Sequence, residues 1–127
     1  MNENVLDTSI IFAILKNEAI DELAYAIVDG GVMSAVNVAE IYTKLSDFKM
    51  VTTRQVDILL GTLGRIEPFT TQQARVAGFL RDSTRHAGLS LGDRCCLALA
   101  LELGANVYTT EHVWSRVEVG CKIHLLR

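Results

Sequence analysis

The stretch Ser90-Leu91-Gly92-Asp93-Arg94-Cys95-Cys96-Leu97-Ala98-Leu99-Ala100-Leu101-Glu102-Leu103 is apolar almost all round from Cys95 to Leu101 and is followed by Gly104. Its residue types favour a helix, and glycine is the usual left-handed stop at a helix end. A helix with no polar face has to be buried rather than lie on a surface. The only acid near its start is Asp93, and Ser90-x-x-Asp93 matches a capping box.

Working outward, Asn106–Thr109 and 122–125 read as strands, and 71–86 as a helix closed by Gly88. Upstream, 65–69 reads as a strand carrying Pro68 at its end. Val56, Leu59, Leu60 and Leu63 give 52–63 helical spacing ahead of Gly64. Val32–Ser34 is a short strand, and Asn37 is placed to cap a helix running to about 47. Asn4–Leu6 forms the first strand, and Asp7-Thr8-Ser9 suits a strand end and a helix cap. Helices follow over 10–16 and 19–29, the second stopped by Gly30-Gly31. Strands alternating with helices through short loops predict an α/β fold, with a central parallel sheet covered on both faces.

The 127 residues contain 50% hydrophobic side chains and one proline, which fits a single domain over 1–127. A mean hydropathy of +0.27 excludes a disordered chain. The longest apolar run, 95–101, is far shorter than the roughly 20 residues a bilayer requires. The start carries Glu3 and Asp7 rather than a basic region, so no secretory signal is expected. Three cysteines, two of them adjacent, make neither a disulfide framework nor a zinc knuckle, and a reduced, cytoplasmic compartment is expected. Charge divides unevenly: residues 1–47 hold eight acids against two bases, whereas 48–127 hold ten bases against seven acids. A net charge of −3 argues against a protein that coats nucleic acid by phosphate neutralisation.

Four acids share one kind of place. Asp7 follows the first strand, Glu40 and Asp93 enter helices, and Glu111 follows Asn106–Thr109. In an open α/β sheet these positions converge outside the carboxyl ends of the strands. Carboxylates gathered there repel one another, and a hard cation such as Mg²⁺ or Mn²⁺ resolves the conflict. Capping is the competing reading for Asp93 and for Asn37-x-x-Glu40; Asp7 gains nothing in packing by following a buried strand.

These residues carry a resemblance to a known family. Val5-Leu6-Asp7-Thr8-Ser9, Ser34-Ala35-Val36-Asn37-Val38-Ala39-Glu40-Ile41, Gly88-Leu89-Ser90-Leu91-Gly92-Asp93-Arg94-Cys95-Cys96-Leu97-Ala98-Leu99-Ala100 and Val107-Tyr108-Thr109-Thr110-Glu111-His112-Val113-Trp114 together resemble the PIN-domain ribonucleases, above all the VapC toxins of toxin–antitoxin pairs. The third block is the most specific. The resemblance implies a three-layer α/β/α fold and a Mg²⁺- or Mn²⁺-dependent endoribonuclease whose acids are Asp7, Glu40, Asp93 and Glu111. It also implies a homodimer and an antitoxin whose C-terminal segment obstructs the acidic crevice. The family usually has Asp where this chain has Glu111, and often Arg where it has His112. The extra methylene ranks Glu111 below the other three acids. A catalytically weakened module that binds an RNA or protein partner is the alternative. A phosphatase of the haloacid-dehalogenase type ranks lower, because Ser9 stands where that mechanism needs a second Asp.

Thr8, Ser9, Asn37, Thr109 and Thr110 are small polar residues placed to orient the carboxylates or a bound water, with capping or strand propensity as competing roles. Arg94, Arg81 and Arg85 are expected to contact RNA phosphates, against the alternative of a solvated helix face. Trp114 and Tyr108 are read either as base-stacking residues or, for Trp114, as core. Cys95 and Cys96 are expected to be inert packing residues.

Overall fold

Val5, Val32 and Val107 sit side by side in register, and so do Leu6 and Tyr108 one residue on. Successive residues of a strand face opposite sides, so each short strand buries one side chain in each of two cores. On one face Val5, Val32 and Val107 pack with Leu80, Leu97, Leu99 and Trp114. On the other, Leu6 and Met33 pack with Ile10, Ile11, Ile27, Ile41 and Val56. Burial on both faces is the hallmark of a parallel sheet between helical layers.

The computed structural model describes residues 3–127. Its strands are β1 (Asn4–Leu6), β2 (Val32–Ser34), β3 (Arg65–Glu67), β4 (Asn106–Thr109) and β5 (Ile123–Leu125). They form one sheet in the order β3-β2-β1-β4-β5, every pair parallel. Helices α1 (Thr8–Leu15), α2 (Leu23–Val28), α3 (Ala35–Lys44) and α4 (Thr53–Leu60) supply the second core. Helices α5 (Thr71–Thr84) and α6 (Leu91–Leu103) cover the first. The result is the three-layer α/β/α architecture the sequence predicts. Among the described residues no helix is long and apolar enough to cross a membrane.

Helix α6 is the internal helix expected from its composition: Cys95 through Ala100 are all buried. Gly104, at φ +61°, ends it in the left-handed conformation that glycine adopts without penalty. Two expectations are corrected. Helix α2 begins at Leu23 rather than 19, because the Asp21 backbone N–H donates to Leu126 O and its side chain accepts from Leu23 N. These bonds tie the preceding segment to the C-terminal strand and form a turn in place of helix. The cap of α3 is Ser34, not Asn37: Ser34 Oγ accepts from Val36 N at 3.1 Å, and the helix follows β2 with no loop.

The strand order reverses beside β1. From β1 the chain moves to β2 and β3 on one side, then returns to β4 and β5 on the other. At such a switch point the two connections diverge and leave a crevice outside the carboxyl ends of β1 and β4. Asp7 follows β1 and Thr110-Glu111 follow β4, at that edge.

Candidate active site

Asp7 is still held in the sheet, its N–H donating to Tyr108 O at 3.0 Å, and only 2% of the residue is exposed. Although it stands at the N-cap of α1, its side chain caps nothing. Instead Asp7 Oδ2 accepts from Ser9 Oγ at 2.7 Å and from Thr109 Oγ1 at 2.8 Å. The Thr110 N–H donates to Ser9 Oγ and the Glu111 N–H to Thr109 Oγ1, and the two hydroxyls lie 3.2 Å apart, so Asp7 sits in one connected network. The two hydroxyls and, more weakly, the Ser9 backbone N–H favour the ionised acid, yet burial outweighs them. Loss of solvation, with a contribution from the Asp93 charge, pushes the Asp7 carboxyl up to about 6.

Glu40 lies inside α3, and with Ser34 as the cap the pair Asn37-x-x-Glu40 is not a capping box. Asn37 is fully buried, and its Nδ2 donates to Glu40 Oε1 at 2.9 Å and to Gly92 O at 3.0 Å. The Glu40 carboxylate lies directly against Gly92, where any side chain would collide with it. Gly92 is therefore a residue of the site that the sequence reading passed over. The available signal was a glycine in the first turn of an internal helix, beside an acid.

Asp93 does form the expected box: the Ser90 N–H donates to its Oδ2 at 2.9 Å, and its own N–H donates to Ser90 Oγ at 3.2 Å. Capping occupies one oxygen of the carboxylate. Ser90→Ala is expected to lower stability by about 1 kcal/mol, measurable by urea titration, because it removes the Oγ acceptor at the start of α6.

Cys96 is fully buried, and its thiol is pushed well up by burial first, then by the charges of Asp7 and Asp93, with smaller contributions from Cys121 and Glu40. Each acid spends one oxygen on a bond within the fold, while the second takes no side-chain hydrogen bond among the described residues. The ion pairs among those residues engage Glu3, Glu18, Glu67 and Asp82, and none reaches the four site acids. The four acids are thus left without an ion-pair partner among the described residues. An all-oxygen donor set of this kind suits Mg²⁺ or Mn²⁺. Among the described residues, no group of three or more His, Cys, Asp or Glu side chains stands close enough together to hold a metal ion as the side chains are placed.

The remaining residues divide. Glu111 is exposed, and only its backbone joins the network, through Thr109. Thr110 is 5% exposed and takes part through its N–H. Thr8 opens α1, partly exposed, with no side-chain hydrogen bond among the described residues. Arg94 donates from Nη1 to Ala77 O at 3.0 Å, which ties α6 to α5 rather than turning that group to solvent. Arg81 and Arg85 are exposed on and just beyond α5, and Arg85 pairs with Asp82. Trp114 is core, 1% exposed, which removes it as a base-stacking residue. Tyr108 stacks on His124 at 4.6 Å between ring centroids. Cys95 and Cys96 are buried with thiols raised by desolvation, the inert state expected of them.

A family model described as PIN domain matches residues 5–120. No curated protein sequence matches the chain. Among solved structures the chain is similar to VapBC2 from Rickettsia felis bound to a promoter DNA fragment, at 21% identity over 98% of both chains with a TM-score of 0.72. It is similar to DNA-bound VapBC from Salmonella typhimurium at 19% identity over 98% of both chains, TM-score 0.73. It is also similar to Mycobacterium tuberculosis VapC20, described as a Sarcin-Ricin loop cleaving toxin, at 16% identity over 94% of this chain and 99% of that one, TM-score 0.69. At these identities the structural likeness speaks for the fold.

Proposed function

The chain belongs to the PIN-domain family, and on that premise we propose that it is a metal-dependent endoribonuclease acting as the toxin of a VapBC-type toxin–antitoxin pair. What supports the reading is the buried Asp7 at the end of β1 beside the switch crevice, together with the Glu40 carboxylate lying against Gly92, the neighbour of Asp93. Asp7, Glu40 and Asp93 would hold Mg²⁺ or Mn²⁺, with Glu111 assisting from the rim. A cation held there would supply Lewis-acid activation of a water and neutralise charge on a phosphate oxygen. Ser9 and Thr109 orient Asp7 through their hydroxyls, which in turn accept from the backbone N–H groups of Thr110 and Glu111. Arg81 and Arg85 offer phosphate contacts that position the strand without reading bases. Hydrolysis leaves a 5′-phosphate and a 3′-hydroxyl. No protein nucleophile belongs to this scheme, since Cys96 is fully buried and its thiol is held protonated.

RNA is the substrate class we propose, in line with the description of VapC20 as a Sarcin-Ricin loop cleaving toxin. A cognate antitoxin is the proposed partner, in line with the VapBC complexes of the same fold. The reading includes a homodimeric toxin in the cytoplasm. Cleavage of RNA that requires added Mg²⁺ or Mn²⁺, stops with chelator and is missing from Asp93→Asn is the expected result. Equal residual activity in the native chain and the variant would point to a contaminant and remove the assignment.

A second reading, a PIN module with weakened catalysis that binds an RNA or protein partner, draws on the exposed Glu111 and the open ligand set. It predicts no cation-dependent thermal shift, and partner affinity that is unchanged in Asp7→Asn.

A further inference from the structure

The geometry points to Asn37 as the positioning residue that sets the Glu40 carboxylate, with Gly92 as the floor it rests on; this rests on the functional reading above. Glu40 is the only one of the three gathered acids on α3, so its distance from Asp93 depends on how α3 and α6 are joined. Asn37 makes that join: one amide nitrogen donates to Glu40 Oε1 at 2.9 Å and to the α6 carbonyl of Gly92 at 3.0 Å. Both partners are pure acceptors, so the amide can be oriented in one way only. That orientation leaves Asn37 Oδ1 buried with no hydrogen-bond partner among the described residues. A buried orphan acceptor weakens a fold, and an apolar residue at 37 would avoid it. The asparagine therefore leaves one acceptor unmet while its nitrogen holds Glu40 against α6.

Gly92 completes the arrangement from the other side. The three atoms nearest a Cβ built at Gly92 all belong to the Glu40 carboxylate. A methyl there displaces that side chain and leaves the backbone in place, while alanine in a helix is otherwise favourable. Asn37 holds one oxygen, Gly92 leaves room for the other, and Glu40 is presented to the crevice beside Asp93. Neither residue touches substrate.

The test is Mn²⁺ binding, measured by calorimetry without RNA, so that it does not depend on cleavage. Asn37→Ala is expected to weaken Mn²⁺ binding about tenfold or more, as loss of an outer hydrogen bond to a metal ligand does, with a lowered melting temperature because two buried hydrogen bonds are lost. Gly92→Ala should weaken binding similarly. In a Glu40→Gln background Asn37→Ala should add nothing, because it acts only through that carboxylate. Native affinity in Asn37→Ala, or a full additional loss in the Glu40→Gln background, overturns the inference while the functional reading stands. A native chain that binds no Mn²⁺ removes both. Should Asn37→Ala fail to fold, Gly92→Ala decides: native affinity there counts against the proposal, and weakened affinity in a stable protein supports it.

Discussion

Asp7→Asn is expected to abolish cation-dependent RNA cleavage, by about 10²-fold or more, and at the same time to raise the melting temperature at neutral pH. The first effect follows from removing a metal-holding charge, for which several kcal/mol of transition-state stabilisation is a typical loss. The second follows from burial. The carboxyl stands at about 6 in the fold against an ordinary 3.8. The folded chain thus binds this proton more tightly than the unfolded chain does. The contribution to stability is fully present below about pH 3.8, fades as pH rises toward 6, and above that leaves the fold carrying the cost of an ionised buried acid. A shift of about two units corresponds to about 3 kcal/mol. Asparagine cannot ionise, and its amide oxygen retains the bonds from Ser9 and Thr109. The variant should melt roughly 5–10 °C higher than the native chain at pH 7.5, and the gain should vanish near pH 4. An ordinary packing defect would lower the melting temperature at both pH values, so the pair of scans separates a functional acid from a structural one.

The second large effect is the response to cations. Mn²⁺ added to the native chain at pH 7.5 should raise its melting temperature, by about 2.7 kcal/mol of stabilisation at a concentration one hundred times Kd. Chelator should reverse the gain, and Asp7→Asn should not show it. The cation competes with the proton on Asp7, so affinity should fall as pH drops through 6, approaching tenfold per unit. Native and Asp7→Asn chains that respond alike to Mn²⁺ would show that the ion binds elsewhere on the surface.

The strands and the internal helix were legible because their composition leaves little choice. Val5-Leu6 and Val32-Met33 have to be buried on both faces, and a helix as apolar as Cys95–Leu101 has no surface on which to lie. The acids after β1 and β4 could be placed because alternating strands and helices predict where strand ends converge. The cap of α3 was not legible. Ser34 and Asn37 are equally good capping residues, and only the absence of a loop between β2 and α3 decides for Ser34. The start of α2 escaped for a different reason: its determinant is a hydrogen bond from Asp21 to Leu126, far along the chain. Asn37 was read as orienting a carboxylate or capping a helix, and its bonds to Glu40 and to Gly92 on α6 favour the first role. Gly92 was silent in the sequence, because its importance lies in an atom it lacks.

Asp7, Glu40 and Asp93 are expected to share one cation, which anomalous scattering from crystals grown with Mn²⁺ would locate. One strong peak should be enclosed by these three carboxylates and be lost in Asp7→Asn crystals. Crystals whose Mn²⁺ peaks all lie away from the crevice, or that show none with Mn²⁺ in excess, would rule out a shared ion.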